Sequence, residues 1–216
     1  MLNVALVNSL SGLLILTSLL VIETQKPQRS ALLYSVQSLV LVLIFLALAT
    51  IMQAEQLFLW AAIAFVTKAV LVPLILYRAL AGIGEVEMPK GILSPTASII
   101  LAAAAVAVSY SVVERFELRA AEPFTPALAV SVAHFFFGQL CILTQRNILK
   151  QVLGFCLMEN GSHLTLALMA YNAPELAEIG ISTDAVFGVI IMVVLGLQIQ
   201  KNLHTLDAAD LTTLKG

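Results

Sequence analysis

Long apolar stretches separated by short polar clusters dominate the pattern of the chain. A helix rises 1.5 Å per residue, so about 20 apolar residues cross a hydrocarbon core of about 30 Å. The stretches that approach or reach this length are Val4–Ile22, Ala31–Met52, Leu57–Tyr77, Thr96–Val113, Pro126–Leu143, Val152–Tyr171 and Ile179–Ile199. The pattern therefore predicts an all-α integral membrane protein with seven transmembrane helices.

The composition supports this class of protein. The 216 residues are 60% hydrophobic and 11% charged, against roughly 25% charged residues in ordinary soluble domains. The formal net charge is −2, and no cluster of Lys and Arg offers a surface for nucleic acid. Cys141 and Cys156 lie within apolar stretches, which argues against a disulfide framework or a thiolate metal site. We expect a lipid bilayer, and no nucleic acid, around this chain.

The distribution of Lys and Arg predicts the orientation, because short loops rich in these residues stay in the cytoplasm. With the N-terminus outside, only Arg115 and Arg119 fall on the outer side, where they are mixed with acidic residues such as Glu117. The cytoplasmic set is Lys26, Arg29, Arg78, Lys90, Arg146, Lys150, Lys201 and Lys215. This predicts an N-out, C-in topology. The turn with Arg146 and Lys150 is interpreted as a membrane anchor or as a docking site for a cytoplasmic partner.

A short repeat suggests an internal duplication. The run Thr67-Lys68-Ala69-Val70 recurs as Thr183-Asp184-Ala185-Val186, which either arises by chance or predicts a parallel repeat of three helices joined by one connector helix. The corresponding division is an N-terminal three-helix half at 1–80, a cytoplasmic loop at 81–95, a connector helix and outer loop at 96–123, and a C-terminal three-helix half at 124–216.

Five ionisable residues lie within the predicted spans. Measured along the helix from the nearest cytoplasmic cation, Glu159 lies roughly 13 Å deep and Lys68 roughly 15 Å deep. His134 and His163 lie roughly 18 and 20 Å deep, and Asp184 lies in the outer third. Ionisable groups in hydrocarbon are expected to pair or to exchange protons, and Glu159 and His163 share a helix face. All five are therefore candidate proton-relay residues.

Each candidate also has a structural interpretation. Glu159 could form an interhelical hydrogen bond, the two histidines could be satisfied core imidazoles, Lys68 could be a counter-ion, and Asp184 could cap a helix. A haem-b anchor is a further alternative, because His134 and His163 lie at similar depth on different helices. The sequence has no phosphate-binding glycine loop, cysteine quartet, nucleophile elbow or zinc motif. It therefore predicts no catalytic residue, cofactor or metal site in this chain.

One stretch carries a resemblance to known families. Residues 143–160 read Leu-Thr-Gln-Arg-Asn-Ile-Leu-Lys-Gln-Val-Leu-Gly-Phe-Cys-Leu-Met-Glu-Asn. They resemble the K subunit of bacterial respiratory complex I and the C subunit of multisubunit cation/proton antiporters, in which a Gly-x-x-x-Met-x-Asn helix bears a buried glutamate. The C-terminal Asn202-Leu203, Asp207 and Leu214-Lys215-Gly216 resemble the tail of the K subunit. Over its whole length, with the block 157–164, the chain resembles the hydrogenase-4 membrane component E family.

The resemblance implies a non-catalytic membrane subunit of a group 4 [NiFe]-hydrogenase or formate hydrogenlyase-type complex, in the cytoplasmic or inner membrane of a bacterium or archaeon. Its expected partners are antiporter-like membrane subunits and soluble hydrogenase subunits that carry the nickel–iron and iron–sulfur centres. Glu159 matches the buried glutamate, so proton or cation translocation is implied. Asp184 falls near the second glutamate of K subunits, and Lys68 has no counterpart there. A small antiporter subunit and a structural scaffold remain as alternatives.

Overall fold

The computed structural model of the chain describes residues 2–83, 89–116, 122–171 and 175–213. Within these ranges, seven helices are long and apolar enough to cross a membrane. They are α1 Leu2–Glu23, α2 Pro27–Met52, α3 Glu55–Ala81, α4 Pro95–Arg115, α5 Thr125–Thr144, α6 Ile148–Met169 and α7 Glu175–Leu203. A short 3₁₀-helix, Ala208–Thr213, follows α7. The prediction of an all-α protein with seven membrane-spanning helices is confirmed.

Local chemistry sets the starts of the helices. Pro95 occupies the first position of α4, where its missing N–H has no helical partner to lose. The side-chain oxygen of Ser94 accepts a hydrogen bond from the Ala97 N–H at 3.3 Å, and that of Asn147 accepts one from the Lys150 N–H at 3.0 Å. Several helices begin before their apolar stretch because capping residues and polar first-turn residues extend them beyond the hydrophobic pattern.

Glycines bring α5 and α6 into close contact. A Cβ atom added to Gly161 would lie 2.5 Å from the backbone nitrogen of Phe135, and one added to Gly154 would lie 2.9 Å from the carbonyl oxygen of Gly138. Real Cβ atoms do not approach other atoms so closely, so only glycine allows this packing. Gly154 and Gly161 are therefore sites of close approach between the two helices.

Most of the buried hydrophobic residues in the described part of the chain form two clusters, one toward each end of the helices. On α1, Leu14 belongs to the first cluster and Val21 to the second. Buried Ser18 lies between them along the helix. The same order recurs on α2, α3, α5 and α6, so a layer of polar residues separates two apolar layers. Helices α4 and α7 are the least buried of the seven and lie at the periphery.

The segment after α7 returns to the turn between α5 and α6. The Ile148 N–H donates to the Leu206 carbonyl at 3.0 Å, and the Ala208 N–H donates to the Arg146 carbonyl at 2.8 Å. The Arg146 guanidinium forms an ion pair with the Asp207 carboxylate, with Nε 2.9 Å from Oδ1. The C-terminal segment is thereby attached to the turn by backbone and side-chain contacts.

Lys150 is buried rather than presented at the surface. Its side chain is 4% exposed, and its ammonium donates to the carbonyls of Val21 at 3.2 Å and Ile22 at 2.5 Å. These carbonyls lie in the last turn of α1, where they lack helical partners. Lys150 therefore closes the end of α1, whereas the Arg146 side chain is partly exposed. Docking of a partner at this turn stays a prediction.

Some sequence-based expectations stay predictions. The N-out, C-in orientation, the parallel repeat and the four-part division are not tested by the fold. Glu117, Arg119 and the final residues 214–216, including Lys215, lie outside the described residues. The two residues that the repeat would make equivalent have different surroundings, because Lys68 is buried and Asp184 is exposed.

Candidate functional site: a polar layer across five helices

A π-helical segment in the middle of α3 carries the buried lysine. The segment is Phe65–Leu71, and Pro73 follows it. Proline has no N–H for the carbonyl of Ala69 four residues earlier, and its ring clashes with that carbonyl in an α-helix. The Ser35 hydroxyl of α2 donates to the Ala69 oxygen instead, at 2.6 Å. Such widened turns are frequent at functional sites, and this one holds Lys68, which is 2% exposed.

Lys68 and Glu159 form an ion pair between α3 and α6. The lysine Nζ lies 2.7 Å from the glutamate Oε1, with side chains 2% and 13% exposed. The same ammonium donates to the Asn160 Oδ1 at 3.0 Å. In a medium of low polarity each charge would be strongly unfavourable without the other. These two residues pair as we expect of ionisable groups in hydrocarbon.

Hydrogen bonds continue from Asn160 through three further helices. Its Nδ2 donates to the Gln37 Oε1 of α2 at 2.8 Å and lies 3.4 Å from the Ser38 hydroxyl. The Gln37 Nε2 lies 3.1 Å from the His134 Nε2 of α5. The His134 Nδ1 lies 2.9 Å from the Ser18 hydroxyl of α1. All of these side chains are buried, so one continuous polar layer links α1, α2, α3, α5 and α6.

His163 extends the layer along α6. Its Nδ1 lies 3.4 Å from the Glu159 Oε1, and the side chain is 1% exposed. This is the helical i, i+4 contact that the spacing of the two residues predicts. The Oε1 atom of Glu159 therefore lies close to both an ammonium and an imidazole.

Asp184 does not belong to the polar layer. Its side chain is exposed on α7, at the tenth position of that helix, and it is not a helix cap. Four of the five sequence-predicted candidates, Lys68, His134, Glu159 and His163, are brought together, and Asp184 is not.

The contacts of His134 bear on the haem alternative. Both of its ring nitrogens are hydrogen-bonded, to Ser18 and to Gln37. An axial ligand would have to give up at least one of these bonds, which disfavours a haem between His134 and His163. Within the described part of the chain, no group of three or more His, Cys, Asp or Glu residues could hold a metal ion.

Three residues of the polar layer have no predicted role from the sequence. Gln37 and Asn160 are amides within apolar spans, and that signal marks them as polar residues in hydrocarbon. Ser18 gives no such signal, because its hydroxyl also donates to the Leu14 carbonyl of its own helix at 2.6 Å, as serines in membrane helices commonly do.

One family model of known proteins matches only the C-terminal part of the chain. Residues 126–216 match the family model of NADH-ubiquinone/plastoquinone oxidoreductase chain 4L. This part contains His134, Glu159 and His163. Lys68 and Gln37 lie outside it, in the N-terminal half.

Relatives of full length are also found. Hydrogenase-4 component E of Escherichia coli K12, of Escherichia coli O157:H7 and of Shigella flexneri are each 50% identical over 211 residues, covering 98% of both chains. No solved structure matches the chain. Identity of this level over almost the entire length shows that the chain belongs to the hydrogenase-4 component E family.

Proposed function

We propose that the chain is a non-catalytic membrane subunit of a hydrogenase complex related to respiratory complex I, and that its polar layer takes part in proton translocation. The support for a hydrogenase complex is the full-length identity to hydrogenase-4 component E. The support for a relation to complex I is the match of residues 126–216 to chain 4L. The full-length relatives favour this assignment over a small subunit of a cation/proton antiporter.

The buried Lys68–Glu159 pair is the observation that carries the proton-translocation proposal. Its two polar atoms are 2.7 Å apart, so a proton can move between them without rearrangement of the helices. In surroundings of low polarity, a charge that arrives next to the pair changes the preferred position of this proton strongly. A subunit without a redox centre can respond in this way to charge movement in its neighbours.

The exposure of the side chains supports one point of exchange between the polar layer and a neighbouring subunit. Glu159 retains 13% exposure, whereas Lys68, His134 and His163 are at most 2% exposed. We place the entry of protons at Glu159. In this proposal, antiporter-like subunits adjoin the peripheral helices α4 and α7 within a bacterial inner membrane, and soluble subunits supply the hydrogenase chemistry together with its nickel–iron and iron–sulfur centres.

The substitution Glu159→Gln tests the proposal. It keeps the shape and hydrogen-bonding capacity of the side chain but removes the group that titrates. Loss of the carboxylate leaves the Lys68 ammonium without its counter-charge, so we expect less folded subunit in the membrane. The complex that does assemble should keep its hydrogenase activity with an artificial electron acceptor. Proton translocation into vesicles, driven by the hydrogenase reaction and expressed per assembled complex, should fall by about a hundredfold or more, in line with the usual contribution of a positioned proton-transfer group. Glu159→Asp should retain part of the translocation because it still titrates.

Glu55→Gln is the matched control, because Glu55 is an exposed glutamate at the start of α3. It should leave assembly, activity and translocation unchanged. Normal translocation by Glu159→Gln would contradict a proton-relay role and favour the structural scaffold. Purification of the chain with cation/proton exchange activity and without hydrogenase subunits would favour the antiporter alternative.

A further inference from the structure

We propose that Asn160 and Gln37 are positioning residues that transmit the charge of Lys68 to His134 and hold this histidine neutral, with its proton on Nδ1. The inference deepens the proposed function, on which it rests: it restricts the mobile proton to Lys68, Glu159 and His163 and removes His134 from the candidate proton-relay residues. It follows from the direction of each hydrogen bond in the layer.

The direction is set at Lys68. A lysine ammonium has three donors and no acceptor, so the atom of Asn160 that lies 3.0 Å from it must be the carbonyl oxygen. The amide nitrogen of Asn160 must then point to Gln37, where the distance between nitrogen and oxygen is 2.8 Å. The charge on Lys68 therefore fixes the orientation of the first amide.

The second amide passes this orientation to the imidazole. Because the Gln37 oxygen accepts from Asn160, its NH₂ group faces the His134 Nε2 at 3.1 Å. This ring nitrogen must accept, so it carries no proton. A neutral imidazole has one N–H, which is then on Nδ1 and donates to the Ser18 oxygen at 2.9 Å. The Ser18 hydroxyl donates onward to the Leu14 carbonyl.

The series of hydrogen bonds from Lys68 through Asn160 and Gln37 to His134 and Ser18 is called the His134 branch. Its arrangement excludes a second cation on this branch. An imidazolium at His134 would direct an N–H against the NH₂ group of Gln37. Reversal of both amides would remove this conflict but would direct the NH₂ group of Asn160 against the ammonium of Lys68. The branch therefore holds one positive charge, at Lys68 and opposite Glu159.

The far end of the branch supports the same conclusion. The chain of donors ends on the Leu14 backbone carbonyl, which accepts a hydrogen bond but has no proton to pass on. The amides of Asn160 and Gln37 do not titrate, so they transmit orientation rather than protons. His134 is thereby separated from the ion pair as a site of proton exchange.

Nitrogen-15 NMR of the full-length chain in lipid nanodiscs tests this inference. Only three histidines occur in the sequence, so histidine labelling gives few signals, and loss of signals in His134→Gln identifies those of His134. We expect neutral His134 with a protonated Nδ1 and an unprotonated Nε2. An imidazolium or a proton on Nε2 in the unmodified chain would overturn the proposal, and this result needs no variant to fold.

Variants at position 68 test whether the charge of Lys68 determines which ring nitrogen of His134 carries the proton. Lys68→Met removes the donor that orients Asn160, so signals of protonated Nε2 should appear at His134. If this variant gives too little protein, Lys68→Met/Glu159→Gln removes the unpaired charge and serves the same purpose. Lys68→Arg, whose side chain also only donates, should restore the original signals. His134 signals that do not respond to Lys68→Met would contradict the proposal.

Gln37→Met should remove the hydrogen bonds that link His134 to Asn160 and so to Lys68. In that background, His134 should give the same signals whether residue 68 is Lys or Met, and a persisting response would overturn the role of Gln37. The outcome is independent of proton translocation. Impaired translocation in Glu159→Gln, together with a protonated Nε2 in the unmodified chain, would reject this inference and keep the proposed function. Normal translocation in Glu159→Gln, together with an unprotonated Nε2 in the unmodified chain, would reject the proposed function alone.

Discussion

In the middle of the membrane, Lys68 and Glu159 are a buried ammonium and a carboxylate, and each compensates the charge of the other. Removal of one partner from a buried ion pair leaves an uncompensated charge, which destabilises a protein by about 3–5 kcal/mol. Removal of both partners leaves none. This difference separates the electrostatic contribution of the pair from the packing of its side chains.

We predict that Lys68→Met destabilises the chain by about 3–5 kcal/mol and lowers its abundance in the membrane. The double substitution Lys68→Met/Glu159→Gln should recover much of this loss. The measurement is the amount of folded subunit in membranes, supported by the thermal unfolding midpoint of the purified complex. Lys201→Met, at an exposed lysine near the end of α7, is the control. A double variant no more stable than Lys68→Met would show that charge compensation is not the cause.

The residues of the site were predictable to different degrees. The contact between Glu159 and His163 follows from helical spacing alone. The pairing of Lys68 with Glu159 does not, because depth along two helices says nothing about how each is rotated. The same reason explains Asp184, whose position in a span was read correctly but whose exposed face was not. Hydroxyls such as Ser18 also satisfy their own helix, so their pattern carries little information.

At the scale of helices, the contact between α5 and α6 sets the relative level of two members of the polar layer. His134 lies between Ser131 and Gly138 on α5, and Glu159 lies between Gly154 and Gly161 on α6. Close approach of the two backbones at these glycines brings both residues to the same level. The fit has no room for a larger residue, because the nearest atoms are backbone atoms.

We predict that Gly138→Val prevents normal packing of α5 on α6. Its Cβ would overlap the backbone of α6 at Met158, and overpacking of this kind costs about 1–3 kcal/mol or more. Reduced recovery of folded subunit and a lower unfolding midpoint are the expected results. Gly12→Val is the matched control, since no other described residue, apart from the adjacent backbone of α1 and the two chain neighbours, lies within 4 Å of a Cβ added there. Equal recovery of the two variants would show that the close contact is unnecessary.

The sequence predicted the helices better than their internal geometry. Hydrophobic length identified α3 as one span, and nothing in that pattern marks the π-helical turn at Phe65–Leu71. The physical cause is visible afterwards, because Pro73 removes a backbone donor and Ser35 of another helix replaces it. A local sequence pattern does not reveal that the second helix is within reach.

For the whole molecule, an odd number of spans sends the start of α1 and the end of α7 to opposite sides of the membrane. The number of spans followed from hydrophobic length, because each stretch must match the hydrocarbon thickness. The return of the C-terminal segment to the α5–α6 turn did not, because it depends on backbone hydrogen bonds between residues far apart in sequence. The two apolar layers on either side of the polar one are likewise a product of packing.

We predict that a cysteine placed at Arg29 reacts with an impermeant thiol reagent only from the cytoplasm, and one placed at Glu55 only from outside. Both native residues are exposed and lie near opposite ends of α2. The native cysteines, Cys141 and Cys156, are buried and should add little background. Labelling of intact cells and of inverted vesicles gives the measurement. The reverse pattern would contradict the N-out, C-in orientation, and reaction of both positions from one side would contradict the spans between them.

The division of the ion pair between the two halves of the chain has a consequence for biogenesis. A polypeptide made of residues 126–216 alone would carry the glutamate without its lysine, and it would need a cation from another subunit during assembly. Here the lysine of α3 is synthesised first and on the same polypeptide as Glu159. The two are always present in equal number, and the charge of the glutamate is compensated when the chain folds. The subunit can therefore reside in the bilayer with balanced charges before any partner has been inserted.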